Sequence, residues 1–270
     1  MTDRYGVIGH PITHSKSPVI HRLFAQQTDQ DLTYEAFDIP PESLGTRLLE
    51  LVADGFRGFN VTVPHKQAVI ELIDELSERA QLAGAVNTLT VRKDDSLAGD
   101  NTDGVGLITD LVTNLGLRLE NANTVILGAG GATRGIVPAL LQAAVKDLRI
   151  ANRTVGKARE LAEEFGGLGG VSACSYDELA GYSFDLVINA TSAGLTGMVP
   201  PFPASIIGEE TVCYDLSYAM ADTPFVTWAV DHGALSVHQG WGMLVEQAAE
   251  SFEIWRGVRP DTGSVLDKLP

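Results

Sequence analysis

Apolar residues recur along the chain in short runs whose spacing switches between two and about three and a half residues, predicting strands that alternate with helices. Residues 4–9 (RYGVIG) read as a short strand closing in a glycine turn, and 14–24 (HSKSPVIHRLF) as an extended segment entering a helix. YEAFDI predicts a second strand, 42–53 a helix, and 57–63 (RGFNVTV) a third strand. In PHKQAVIELIDEL, which follows, Val69, Leu72, Ile73 and Leu76 fall on one helical face. Residues 124–154, TVILGAGGATRGIVPALLQAAVKDLRIANRT, read as one complete unit of strand, glycine turn, helix and strand. Alternation continues through 184–194 and 210–218 to GWGMLVEQAAESFEIWRG, an amphipathic last helix.

The expected fold class is therefore α/β, with two α/β domains and open, mostly parallel sheets. Residues 1–103 form the expected first domain and 104–240 a Rossmann-type doubly wound nucleotide domain, with the last helix (241–270) returning to the first. A chain of 270 residues, 44% of them hydrophobic, can bury two such cores.

A formal charge of −16 opposes non-specific attraction to nucleic acid or anionic membrane, so an anionic ligand has to meet a local cationic pocket. No apolar run approaches the roughly 20 residues that cross a bilayer, and the first residues lack the apolar core of a signal peptide, so a cytoplasmic protein is expected. Cys174 and Cys213 form no CxxC pair and read as core thiols. The six histidines include neither an HExxH motif nor a Cys/His cluster, and no metal is expected.

Gly128, Ala129, Gly130, Gly131 and Ala132 follow the strand TVIL, where a backbone turns sharply and can present N–H groups to a pyrophosphate at a helix N-terminus. Thr133 stands where GxGxxG has its third glycine. The second strand of the unit ends in Asn152, Arg153 and Thr154 rather than in the acid that binds an NAD ribose. A guanidinium there, with a hydroxyl at Thr154 and Lys157 nearby, favours the 2′-phosphate of NADP. A solvated cation at the start of a helix is the plainer reading for Lys157.

Ser15 and Ser17 lie two apart and would point to one side of an extended segment, able to grip a carboxylate, although Ser17 before Pro18 equally suits a helix N-cap. Asn60 and Thr62 alternate with Val61 and Val63, which puts a polar face on a strand expected to be buried. Lys66 follows at an expected helix start, where the dipole would prepare it for proton transfer. Asn87 and Asp103 are its candidate partners, with turn formation as the alternative for both. Gln247 places a polar amide in the apolar stripe of the last helix, where it needs a partner.

HSKSP, GFNVTVPHK, GAVNT, GDNTDG, GAGGATRG, NRT, NATSAG, YDLSY and GMLVEQAA occur in the order and at the spacing of the shikimate dehydrogenase family, which the whole chain resembles. That resemblance implies NADP-dependent interconversion of 3-dehydroshikimate and shikimate in the shikimate/chorismate pathway of aromatic amino acid biosynthesis, by a monomer or homodimer. It implies Lys66 as the proton-transfer residue and Asp103 as its partner. Ser15, Ser17, Thr62, Asn87, Asp103, Tyr218 and Gln247 would line the substrate pocket. The pyrophosphate would lie on Gly128–Ala132, the adenosine phosphate on Asn152, Arg153, Thr154 and Lys157, and the nicotinamide against Leu216 and Gly240. Glu78 matches a further cofactor position.

Three rivals make distinct predictions. An NAD-dependent quinate/shikimate dehydrogenase predicts an acid at Arg153 and often threonine at Ser17. A non-catalytic metabolite sensor predicts loss of Lys66 or Asp103, or an added DNA-binding domain. Another Rossmann reductase explains 124–154 but leaves HSKSP and NVTVPHK without a role.

Overall fold

Strand β1 (Asp3–Gly9) pairs in parallel with β2 (Leu32–Asp38) on one side and β3 (Phe56–Val61) on the other. The crossovers contain α1 (Ser17–Gln27) and α2 (Leu44–Ala53), as parallel pairing requires. Leu44, Leu48 and Leu51 are buried on one face of α2 at intervals of four and three. The approach to α1 is a turn rather than an extended segment, closed by the Ser15 N–H donating to the Ile12 carbonyl at 3.0 Å. Lys16 is the N-cap and Ser17 already helical, so the capping alternative for Ser17 is not realised.

The helix expected across 64–76 does not form. A turn carries Lys66, a short 3₁₀ helix spans Ala68–Leu72, and Glu75–Leu76 then form β4. Strand pairing wins because Asp74 exchanges backbone and carboxylate bonds with Leu97, while the Ser77 N–H reaches the Gly99 carbonyl. The apolar side chains still meet the core, since Leu72, Ile73 and Leu76 pack against it. After α3 (Glu78–Ala83), β5 (Thr88–Val91) and β6 (Leu97–Asp100) form a hairpin that the sequence reading passed over. Its turn has Asp95 at φ 63°, a left-handed conformation that aspartate tolerates well.

The sheet order is β2-β1-β3-β5-β6-β4, parallel except where β5 runs against β3 and β6. α4 (Asp103–Thr109) follows β6 and continues as a π-helical turn over Asp110–Asn114.

A second sheet has the order β12-β11-β10-β7-β8-β9, all parallel. Its strands are β7 (Asn123–Leu127), β8 (Asp147–Ala151), β9 (Val171–Cys174), β10 (Leu186–Asn189), β11 (Val212–Asp215) and β12 (Ser236–Gln239). α5 (Gly131–Gln142), α6 (Val155–Phe165) and α7 (Pro224–Asp231) lie among the connections. Strands added outward in both directions from β7 define the doubly wound arrangement, with the topological switch between β7 and β10. α8 (Trp241–Arg256) and the short α9 (Gly263–Leu266) complete the chain.

The computed structural model describes residues 2–191 and 193–269, in two compact units, Met1–Leu107 with Leu244–Pro270, and Ile108–Met243. The divisions fall inside α4 and α8, a few residues beyond the expected 103/104 and 240/241. In the first unit one apolar cluster gathers Leu48, Phe56, Phe59 and Leu89, and another packs Ile20 and Phe24 of α1 against Val245, Ala248 and Phe252 of α8. The second unit's core includes Val125, Val187, Cys213 and Phe225. No helix among the described residues is long and apolar enough to cross a membrane.

Candidate active site

The β5–β6 hairpin explains why Asn87 and Asp103 meet. Thr88 pairs with Asp100, so the residues just before β5 and just after β6 emerge side by side. The Asn87 amide donates to Asp103 Oδ1 at 2.9 Å and to Thr102 Oγ1 at 2.9 Å, while its oxygen accepts the Thr102 N–H at 2.8 Å. Asp103 Oδ2 accepts from Lys66 Nζ at 2.5 Å, and the two side chains are only 5% and 14% exposed. Backbone bonds support this pair: the Lys66 carbonyl accepts from Val86 N at 2.7 Å, and Asp103 N donates to Asn101 Oδ1 at 3.1 Å. Lys66 sits in a turn with no α-helix beginning there, so the expected helix dipole is replaced by the Asp103 carboxylate as its electrostatic partner.

α8 supplies the opposite wall of this cluster. Gln247, Ser251 and Trp255, four residues apart, form one line on the helix. Gln247 Oε1 accepts from Asn87 at 3.3 Å, Ser251 Oγ from Asn60 Nδ2 at 2.9 Å, and Trp255 Nε1 donates to the Leu89 carbonyl at 3.0 Å. Gln247 thus finds in Asn87 the partner its apolar setting demanded. Arg79 ties the same helix to β6, its fork on Asp100 and its remaining nitrogen on Glu250. Burial pushes the Asp100 carboxyl up, but Arg79 and the Ser77 hydroxyl more than offset it and hold the group below its usual range.

Ser17 is buried, and Ser15 Oγ accepts its N–H at 3.3 Å, which binds the two serines into one turn. Thr62 is half-buried at the end of β3, its N–H donating to the Ile8 carbonyl. Sequence reading missed Tyr34, Thr88, Thr102 and Ser251 of this buried polar cluster. Ser251 was legible, because it falls one turn after Gln247 on the same face.

In the second unit the turn after β7 requires a glycine. Gly128 has φ +116°, and a Cβ there would stand 2.9 Å from the Ala190 carbonyl oxygen. Thr133, buried in α5, donates its hydroxyl to the Gly128 carbonyl at 2.9 Å, so the departure from a third glycine braces the turn. Ala129, Gly130, Gly131 and Ala132 remain partly or fully exposed around the N-terminus of α5. At the end of β8, Asn152 Nδ2 donates to the Thr154 carbonyl at 2.9 Å, and Arg153, Thr154 and Lys157 are exposed.

Leu216 and Gly240 are adjacent, for a Cβ on Gly240 would lie 2.5 Å from the Leu216 carbonyl oxygen. Asp215 fixes that region by accepting from Asn189, the Ser217 N–H and Thr223 at 3.0, 3.0 and 2.6 Å. Burial pushes its carboxyl up against these three donors. Tyr218 packs its ring against Trp241 at 4.7 Å. Glu78 stands exposed at the first position of α3, in the first unit. The NATSAG motif includes Ser192, which lies outside the described residues.

Three family models match successive parts of the chain: the shikimate dehydrogenase substrate binding domain over 7–89, shikimate/quinate 5-dehydrogenase over 110–197, and the shikimate 5′-dehydrogenase C-terminal domain over 240–269. The chain belongs to the shikimate dehydrogenase family. It is 52% identical over 267 residues to the shikimate dehydrogenase (NADP(+)) of Thioalkalivibrio sulfidiphilus, an alignment covering 99% of this chain and 98% of the relative. An Ael1 enzyme from Pseudomonas putida, solved by crystallography, shares 45% identity and a TM-score of 0.91, over 99% of this chain and 98% of that one. The shikimate 5-dehydrogenase of Thermus thermophilus, solved with NADP(H) and shikimate, shares 36% identity and a TM-score of 0.87, with 98% of each chain covered.

The second unit's turn fits the dinucleotide of this family. Around the Gly130 Cβ position there is open space within 4 Å, leaving the helix N-terminus accessible to a phosphate. Arg153 and Lys157 enter no ion pair among the described residues, and no carboxylate ends β8 to repel a 2′-phosphate.

Proposed function

We propose that this shikimate dehydrogenase family member is an NADP-dependent oxidoreductase that interconverts 3-dehydroshikimate and shikimate. The observation that carries the reading is the buried Lys66–Asp103 pair, held by Asn87 within a pocket wall of amides and hydroxyls. Such a wall suits a polyhydroxylated acid: Ser15 and Ser17 take the carboxylate, while Thr62, Asn87 and Gln247 take hydroxyls or border them; Tyr218, in the second unit, is a further substrate-binding residue. The first unit is the substrate-binding domain and the second the NADP-binding domain. Gly128–Ala132 hold the pyrophosphate, and Asn152, Arg153, Thr154 and Lys157 hold the adenosine 2′-phosphate. Leu216 and Gly240 border the nicotinamide, and Glu78 is a further cofactor contact.

When bound, NADP accepts a hydride from the substrate carbon bearing the 3-hydroxyl, and NADPH returns it in the opposite direction. Lys66 Nζ takes the hydroxyl proton as the carbonyl forms, and gives it back during reduction. Asp103 accepts from Lys66 through Oδ2 and is fixed by Asn87 through Oδ1, so the lysine nitrogen has one preferred direction. The burial of the pair keeps water from competing for that proton. The protein acts in the cytoplasm as a monomer or homodimer.

The test is nicotinamide absorbance with purified protein, pairing shikimate or quinate with NADP or NAD. Strong turnover only with shikimate and NADP supports the reading. A preference for quinate or NAD overturns the specificity, and folded protein silent in all four mixtures overturns the enzyme.

A further inference from the structure

Behind the substrate-facing residues a second row of buried polar groups has no assigned role. Asn60, on β3, is 5% exposed and uses both ends of its carboxamide inside the protein. Its Nδ2 donates to Ser251 Oγ at 2.9 Å and to the Asn87 carbonyl at 3.2 Å, and its Oδ1 accepts from the Tyr34 hydroxyl at 2.7 Å. Tyr34 reaches it from β2, two strands away across β1. On the other side of the phenol, the imidazole of His21 stacks at 4.1 Å with the planes only 5° apart. The Ser17 side chain approaches the same hydroxyl. Burial raises the phenol's pKa well above its usual value, so it stays protonated and serves as a donor.

A carboxamide has two orientations that differ by exchange of its oxygen and nitrogen, and only its partners choose between them. With the Tyr34 hydroxyl in place, the amide nitrogen must face Ser251 and the Asn87 carbonyl. Without it, Asn60 Oδ1 loses its one donor of normal geometry, leaving only the poorly aligned His21 imidazole beside it. Reversal then brings that oxygen against the Asn87 carbonyl, and either outcome carries the cost of an unmatched buried polar group. Asn87 is the residue whose side chain holds Asp103, and Asp103 holds Lys66.

We propose that Tyr34 is a positioning residue for the acid–base pair, acting through the orientation of the Asn60 carboxamide on Asn87. This rests on the dehydrogenase reading, and the experiment separates the two. Wild type is assayed first with shikimate and NADP; no turnover by folded protein removes the reading and this inference with it.

Given turnover, Tyr34→Phe deletes one oxygen and keeps the ring that stacks on His21. Its kcat should fall about tenfold, as misplacement of a proton-transfer group lowers turnover. The KM for shikimate should move less than threefold, and the affinity for NADP, measured by fluorescence titration, should be unchanged. The distinguishing arm is a double-mutant cycle with Asn60→Ala. If Tyr34 acts through Asn60, Tyr34→Phe adds less than twofold in the Asn60→Ala background. Should Asn60→Ala lose NADP binding or its folded far-UV spectrum, Asn60→Ser replaces it in the cycle. An unchanged kcat in Tyr34→Phe, or a full tenfold effect persisting in the background lacking the carboxamide, overturns the proposal.

Discussion

Between pH 8 and pH 5 wild-type protein should lose about 2 kcal/mol of stability that a His21→Phe variant keeps. His21 is 1% exposed, and neither ring nitrogen has a hydrogen-bond partner of normal geometry. Burial pushes its pKa from 6.5 down to about 3, with the nearby Asn60 side chain opposing weakly. The unfolded chain therefore binds a proton at His21 below about pH 6.5 and the folded chain does not, so stability is present above that pH and drains as pH falls toward 3. At pH 5 the magnitude is set almost entirely by the unfolded value: 1.5 units below it, at about 1.36 kcal/mol per unit, gives about 2 kcal/mol.

The assay is urea unfolding at pH 5, 6, 7 and 8, with Trp255 fluorescence reporting on the first unit after Trp228→Phe and Trp241→Phe. With a urea slope of about 3 kcal/mol/M, the midpoint difference between the two proteins should change by roughly 0.7 M across the range. Packing of the phenylalanine does not account for such a change, since any steric cost is the same at every pH. Parallel stability curves would refute the reasoning.

Three further outcomes follow from the geometry. Lys66→Ala should lower kcat by about 10²–10⁴ with a folded far-UV spectrum and unchanged NADP binding, as loss of a general acid–base predicts; steady-state kinetics check it. Arg153→Ala should weaken NADP by about 2 kcal/mol, roughly thirtyfold in KM, and leave the KM for NAD within twofold, which parallel titrations of both nucleotides would reveal. Gly242→Ala should destabilise the second unit by about 3 kcal/mol in thermal unfolding, because a Cβ there falls inside the buried Asp110 carboxylate that accepts from Tyr214 at 2.6 Å.

The second unit was the more legible part of the chain. Its βαβ unit is a local pattern, and the glycine turn and the Asn152–Arg153–Thr154 strand end carry their chemistry within about thirty residues. In the first unit, periodicity placed Leu72, Ile73 and Leu76 on an apolar face but assigned the wrong element. The deciding partners, Leu97 and Gly99, lie more than twenty residues onward. Asn87 and Asp103 could be suspected as partners of Lys66, whereas the hairpin that joins them depends on a register no single strand reveals. Tyr34 was invisible for the same reason: β2 reads as an ordinary strand, and only the sheet order brings its phenol to Asn60.

The line of Gln247, Ser251 and Trp255 on α8 also has a consequence for biosynthesis. All the residues of the second unit are translated before residue 244, whereas the first unit needs a helix made after them. On the ribosome the nucleotide-binding unit can therefore fold while Asn60, Thr88 and Asn87 still await their partners. A nascent chain arrested there would gain a Rossmann fold before it completed the polar cluster around Lys66 and Asp103, and its order of assembly would be the reverse of its order in sequence.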